Sequence, residues 1–235
     1  MDTVISVFER KEIKYILTEQ QHKELMEELE GRMRPDKYGL TTICNIYFDT
    51  HSFQLIRESI EKPKYKEKLR MRNYGVPNAS SRAFVELKKK LCGIVYKRRE
   101  TLPYGEAMDF LIRRLRPSVW DQRLREIDWV LDHYEGLKPA MALFYERTAY
   151  ENIEDPSLRM TIDSGMRYRL EDLDLSHGAY GEPILDEERF ILEIKITNSM
   201  PLWLSQIFDR LKIYPTSFSK YGAAYKKALI GGKIL

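Results

Sequence analysis

The chain has 235 residues, 43% of them hydrophobic and 32% charged, the composition of a globular protein and not of a disordered one. Its 39 basic and 36 acidic residues leave a net charge of +3, too small for generic nucleic-acid binding, so any positive field must be local. Two cysteines, Cys44 and Cys92, exclude a disulfide framework and fit a reducing compartment, and with no secretory head and no run of about twenty apolar residues a cytoplasmic protein without a membrane span is expected.

In chain order, residues 10–17 read as a strand on which Arg10, Glu12 and Lys14 share one parity. Thr18 then caps a helix expected over 19–33, with Leu25, Met26 and Leu29 on one face. A strand at 41–48 ends at Asp49-Thr50, where a short helix begins. Strands follow at 65–74, 84–91 and 94–102, and turn residues connect them. Helical periodicity runs from Pro103 to His133 with a break near Pro117. Strands return at 139–151 and 158–164, a polar Gly/Pro-broken loop covers 170–188, and a strand at 190–197 precedes helices at 202–211 and 217–230.

The strands share a peculiarity. Residues two apart on a strand share a face, and here that face is charged: Lys68, Arg70 and Arg72; Glu86, Lys88 and Lys90; Lys97 and Arg99; Arg147; Arg159 with Asp163; Glu193 with Lys195. With Arg10, Glu12 and Lys14, twelve bases stand against four acids. An ordinary solvated face mixes its signs, because like charges opposite each other destabilise a sheet. The helices carry apolar stripes of their own and need a surface to bury them. One architecture meets both demands, an α+β fold built on a closed antiparallel β-barrel, a tunnel with a basic interior and helices packed outside, as a single domain over 1–235. Such a bore makes sense wet and filled by something long and negative, and phosphate chains fit.

Several segments match a known family in order along nearly the whole chain. They are Arg10-Lys11-Glu12-Ile13-Lys14-Tyr15, Asn45-Ile46-Tyr47-Phe48-Asp49-Thr50, Lys68-Leu69-Arg70-Met71-Arg72 and Glu86-Leu87-Lys88-Lys89-Lys90, followed by Tyr96-Lys97-Arg98-Arg99 and Tyr145-Glu146-Arg147. The series closes with Arg159-Met160-Thr161-Ile162-Asp163, Ile191-Leu192-Glu193-Ile194-Lys195 and Ser217-Phe218-Ser219-Lys220-Tyr221. The chain resembles the polyphosphate polymerase domain of VTC proteins, within the triphosphate tunnel metalloenzyme superfamily. That resemblance implies an ATP-dependent polymerase extending inorganic polyphosphate in a basic tunnel with Mn2+ or Mg2+. It implies that Lys14, Arg70, Arg72, Lys88, Arg147, Arg159 and Lys220 do the catalytic gripping. Arg10, Lys97, Tyr145, Lys195 and Ser219 would contact substrate, and Glu193 with Glu12 would hold the metal. Triphosphate-hydrolysing members typically open with Glu-x-Glu-x-Lys; Arg10 at the first Glu position leans toward the polymerase branch. Translocation of product would fall to a separate membrane partner.

The chemistry is coherent with these residue types. Phosphoryl transfer needs positioning and charge neutralisation more than a covalent nucleophile. Arginine forks grip phosphate oxygens, lysines add point charge, and carboxylates hold hard divalent ions. Glu12, Glu86 and Asp163 carry two readings, metal ligand or structural counter-ion, and Ser217 and Ser219 read equally as helix caps. A tripolyphosphate or nucleoside triphosphate hydrolase of the same fold and a non-catalytic polyphosphate-binding module remain as alternatives.

Overall fold

Alternation along the chain yields antiparallel strands, and the period-3.6 stripes yield helices on their apolar faces. The computed structural model describes residues 11–61, 63–92, 94–197 and 199–231. Arg10, assigned above to substrate binding, lies outside the described residues. The strands are β1 (Lys11–Leu17), β2 (Met33–Pro35), β3 (Thr41–Asp49), β4 (Tyr65–Tyr74), β5 (Arg82–Leu91), β6 (Ile94–Pro103), β7 (Lys138–Asn152), β8 (Arg159–Arg169), β9 (Glu182–Pro183) and β10 (Phe190–Ile196). The helices are α1 (Glu19–Leu29), α2 (Gln54–Ile60), α3 (Tyr104–Arg113), α4 (Gln122–His133), α5 (Leu202–Arg210) and α6 (Lys220–Tyr225). The result is an α+β fold dominated by antiparallel pairing. Among the described residues, no helix is long and apolar enough to cross a membrane.

The chain divides into two compact units. The first draws on residues through Thr41, Glu146–Gly165 and Glu187–Phe218, the second on Thr42–Tyr145, Met166–Asp186 and the chain from Ser219 onward.

In the first unit β1 pairs with β10 and β10 with β8, while β2 pairs with the end of β7. Tyr15, Leu17, Met160, Ile162, Leu192 and Ile194 bury one face of these strands with Leu25 and Leu29 of α1 and Leu204, Ile207 and Phe208 of α5. Thr18 opens α1 with a capping box, its side chain accepting from the Gln21 amide while the Gln21 side chain accepts from the Thr18 amide. The helix ends at Leu29, four residues short of the expected end. Gly31 takes φ +73°, a left-handed conformation that halts the helix, and Met33 turns into β2, where it is buried.

In the second unit β3, β4, β5 and β6 pair in succession. Cys44, Ile46, Phe48, Leu69, Met71, Val85 and Leu87 form the apolar face, packed with Phe110 and Leu111 of α3 and Leu124, Ile127 and Val130 of α4. The segment expected as a loop after β8 is pinned more firmly than its composition suggests. Arg169 donates to the carbonyls of Asp174 (2.6 Å) and Gly178 (2.7 Å), and its guanidinium lies over the rings of Phe144 and Tyr180. The last helix starts three residues later than expected, capped by Ser219, and its second half widens into a π-turn over Lys226–Ile230.

Candidate functional site

Strand register arranges the charged face of the second unit in transverse rows. One row is Lys68, Lys88 and Lys97, three ammonium-bearing residues abreast on β4, β5 and β6. The next is Tyr47, Arg70, Glu86 and Arg99, and the one after it starts Asn45, Arg72, Phe84. On the opposite face at these positions sit Leu69, Met71, Val85 and Leu87, all fully buried. Period 2 therefore leaves these cations on the face that α3 and α4 do not cover.

Glu86 is the hub of this face. It is 1% exposed, and its carboxylate accepts from Arg70 Nε (2.7 Å) and Arg99 Nε (2.7 Å) and pairs with Lys97 Nζ (2.5 Å). Burial alone would raise the pKa of this carboxyl, but the charges of Arg70, Arg72 and Lys97 outweigh it and hold the group far below the usual carboxylate range. Burial pushes the Lys97 ammonium down, with Glu86 pulling the other way. Glu86 thus acts as a structural counter-ion, one of the two roles its sequence allowed.

Each arginine of β4 is held from two sides. Arg70 donates Nε to Glu86 and Nη1 to the Tyr47 hydroxyl (3.1 Å). Arg72 donates Nε to Asn45 Oδ1 (2.9 Å) and Nη2 to the Tyr145 hydroxyl (3.1 Å). The start of α6 closes the arrangement: Ser219 Oγ accepts from Lys68 Nζ (3.1 Å) and from the Gly222 amide (3.2 Å), so it is both a helix cap and a lysine partner. Gly222 packs closely here: a Cβ would sit 3.3 Å from the Ser219 side chain, which would have to shift by a few tenths of an ångström. Lys220 Nζ lies 4.8 Å from the centre of the Tyr145 ring, within cation–π range.

The first unit repeats the pattern with more acid. Register places Glu12, Lys195 and Arg159 in one row and Lys14, Glu193 and Thr161 in the next. Lys14 Nζ stands 3.4 Å from Glu12 Oε1 and 3.5 Å from Glu193 Oε2, and Lys195 Nζ is 3.2 Å from Glu193 Oε1. Arg147 meets Asp163 fork to fork, Nε to Oδ1 at 2.5 Å and Nη2 to Oδ2 at 2.7 Å, and Asp163 is fully buried. Arg159 sits at the exposed end of β8 and donates weakly to the Pro156 carbonyl at 3.4 Å.

The donor set of this unit fits one kind of divalent site. Among the described residues, no three His, Cys, Asp or Glu side chains converge as a metal cage. Glu193 is buried, Glu12 is close by in register, and among the described residues the Thr161 hydroxyl opposite Glu193 is buried without a hydrogen-bond partner. One or two carboxylates and a spare oxygen, with phosphate completing the shell, are how Mg2+-type ions are usually held beside phosphates.

Sequence reasoning quoted Asn45 and Tyr47 in a motif but gave them no role. The signal was present: Asn45, Tyr47 and Asp49 alternate with Cys44, Ile46 and Phe48, the same parity that marked β4. The lysine row carries a prediction. Lys88→Ala should raise Tm by about 1–3 °C at low salt, because like charges face it from both neighbouring strands, and the gain should shrink in high salt. A thermal melt showing a loss instead would mean that Lys88 is structurally paired.

Rows of cations on the strand face of the second unit and, separately, a carboxylate pair among lysines in the first are side-chain sets whose chemistry suits phosphate oxygens and hard cations. Comparison with solved structures gives the same fold. A candidate adenylate cyclase from Bacillus halodurans superposes with a TM-score of 0.57 at 18% identity, covering 89% of this chain and 95% of that one. A candidate adenylyl cyclase from Hippeastrum, described as having a dominant triphosphatase activity, superposes at 0.55 with 15% identity, covering 95% and 96%. No curated protein matches the chain. The VTC domain family model matches residues 9–229, and the chain belongs to that family.

Proposed function

We propose that the chain is an ATP-dependent polyphosphate polymerase, a phosphotransferase that adds the ATP γ-phosphate to a growing inorganic polyphosphate chain. The row Lys68, Lys88 and Lys97 is the observation that carries this reading. Three lysines abreast place like charges side by side, an arrangement that costs stability and that a polyanion lying across it would relieve. Family membership supports phosphate chains as that polyanion. The proposed enzyme is a single domain over residues 1–235, its strands closed as an antiparallel barrel with the charged faces inward, and two cysteines outside any disulfide, Cys44 and Cys92, suit a cytoplasmic setting.

In the proposed reaction a terminal phosphate oxygen of the chain attacks the γ-phosphorus of ATP in line. The bond from that phosphorus to the β–γ bridging oxygen breaks, and ADP leaves with the electron pair. The acceptor is already ionised at neutral pH, so the residues position and neutralise. Arg70 and Arg72, pre-aimed by their partners, would fork phosphate oxygens; Lys88, Lys97 and Lys220 with Ser219 and Tyr145 would bind the chain. Lys14, Lys195, Arg147 and Arg159 would neutralise charge beside Glu193 and Glu12. Those two carboxylates would hold Mn2+ or Mg2+, which when bound would offset charge on the phosphates.

A second reading, hydrolysis of tripolyphosphate or nucleoside triphosphate, is favoured by the fold shared with the Hippeastrum protein. The test is incubation with ATP and manganese, with and without a short polyphosphate primer. A ladder of lengthening chains with matching ADP is expected. ADP and free phosphate without a ladder would establish the hydrolase, and tripolyphosphate binding with no turnover would leave a binding module.

A further inference from the structure

The two arginines of β4 are not aimed by their own strand. Asn45 faces Arg72 and Tyr47 faces Arg70 directly across the β3–β4 ladder, and each takes one edge of the guanidinium opposite it. Both partners are themselves fixed. Asn45 Nδ2 donates to the Leu143 carbonyl at 3.2 Å, which orients the amide so that Oδ1 faces Arg72. The Tyr47 ring stacks on Tyr221 at 4.4 Å between centroids, and Tyr221 donates its hydroxyl to Asp49 Oδ2 at 2.9 Å. Asp49 in turn accepts from the amides of Leu55 (2.9 Å) and Ile56 (3.0 Å) in the first turn of α2. With Glu86 and Tyr47 holding Arg70 Nε and Nη1, among the described residues its Nη2 has no hydrogen-bond partner, so that edge is available to an incoming anion.

We propose that Asn45 and Tyr47 are positioning residues that aim the Arg72 and Arg70 forks at phosphate oxygens. The inference rests on the anion-binding part of the function proposed above, not on polymerisation.

Tyr47 gives it a readout that packing alone does not share. Burial opposes ionisation of this phenol, but Arg70, Arg72 and Lys68 and the Arg70 hydrogen bond prevail and bring it down to about 8. Other ionisable groups reach it through its neighbours: Glu86 on β5 and Tyr145 on β7 through Arg70, and Asp49 on its own strand and Tyr225 on α6 through Tyr221, which stacks on its ring. Burial and Asp49 push the Tyr221 phenol up, so it stays protonated where Tyr47 titrates. Below pH 8 the neutral Tyr47 hydroxyl only orients Arg70. Above it the phenolate is an internal anion competing with phosphate for the same guanidinium, so affinity falls as pH rises, by at most tenfold per unit for one linked proton.

The experiment is calorimetric titration with tripolyphosphate, without ATP, from one pH unit below the Tyr47 value to one above it, on the wild type, Tyr47→Phe and Asn45→Ala. Tyr47→Phe should bind about tenfold more weakly at neutral pH, should lose the alkaline fall seen in the wild type, and should keep its Tm within a few degrees. Asn45→Ala should weaken binding with the pH profile retained. The wild type should also show a phenolate absorbance step near pH 8 that tripolyphosphate moves upward, a measurement needing no variant. Equal affinity and pH profile in wild type and Tyr47→Phe, or an absorbance step unmoved by the anion, would overturn the positioning role. Failure of the wild type to bind tripolyphosphate would overturn the anion-site reading itself.

Discussion

Glu193→Gln is expected to lower ADP formation from ATP by roughly a thousandfold at saturating manganese while leaving the fold intact. The substitution is isosteric and removes only charge. Lys14 keeps Glu12 at 3.4 Å, and Lys195, which loses the charge at 3.2 Å, has a side chain 36% exposed to water, so neither ammonium is stranded in an apolar site. What goes is the better buried of the two carboxylates able to hold a hard ion, and stabilisation of phosphoryl charge by such an ion is a matter of about 4 kcal/mol. The checks are a manganese titration of the rate and a melting curve. Full turnover in the variant would remove Glu193 from the metal site; lost turnover with a collapsed Tm would make it a structural residue.

Glu86→Gln should act on stability. The side chain is buried under Arg70, Lys97 and Arg99, and uncharging it leaves three cations converging on one point. Breaking a buried ionic cluster by removing one partner costs about 3 kcal/mol, or roughly 6–12 °C in Tm for a chain of this size. The pH dependence has a definite sign. The folded-state pKa is depressed, so the contribution is complete above the ordinary value of 4.5 and is lost as pH falls toward the folded value. The gap between wild type and variant should therefore be constant near neutrality and close in strong acid. Tripolyphosphate should restore part of the lost Tm by replacing the missing anion. A variant melting with the wild type at neutral pH would show that the three cations do not depend on Glu86.

Parity made much of this legible in advance. The charged faces of β4, β5 and β10 follow from period 2 alone, and so does the apolar face that α3 and α4 cover. The pairing that decides each charge's role does not. That Glu86 gathers three cations while Asp163 takes Arg147 in a bidentate fork depends on which strands are neighbours, and a list of alternating segments leaves that open. Tyr47 escaped notice because an aromatic residue in an Ile-Tyr-Phe run reads as core, although only its ring behaves as core and its hydroxyl serves Arg70. The helical pattern of 19–33 runs past the end of α1 because Arg32 and Met33 are good helix formers; Gly31 overrides them locally.

The pairing of β1 with β10 also bears on how the chain is made. Residues 11–17 find their partners at 190–196, so during synthesis β1 stays unpaired while about 180 residues are added. At roughly 5–20 residues per second that is on the order of 10–35 s. Through that interval Tyr15 and Leu17, fully enclosed at the end, lie on an open strand edge next to a ready-made helix. Ladders of such long sequence separation form late and slowly. The first unit is therefore the part of the molecule most exposed to mispairing at birth, and the part whose yield should depend most on temperature and on chaperones during expression.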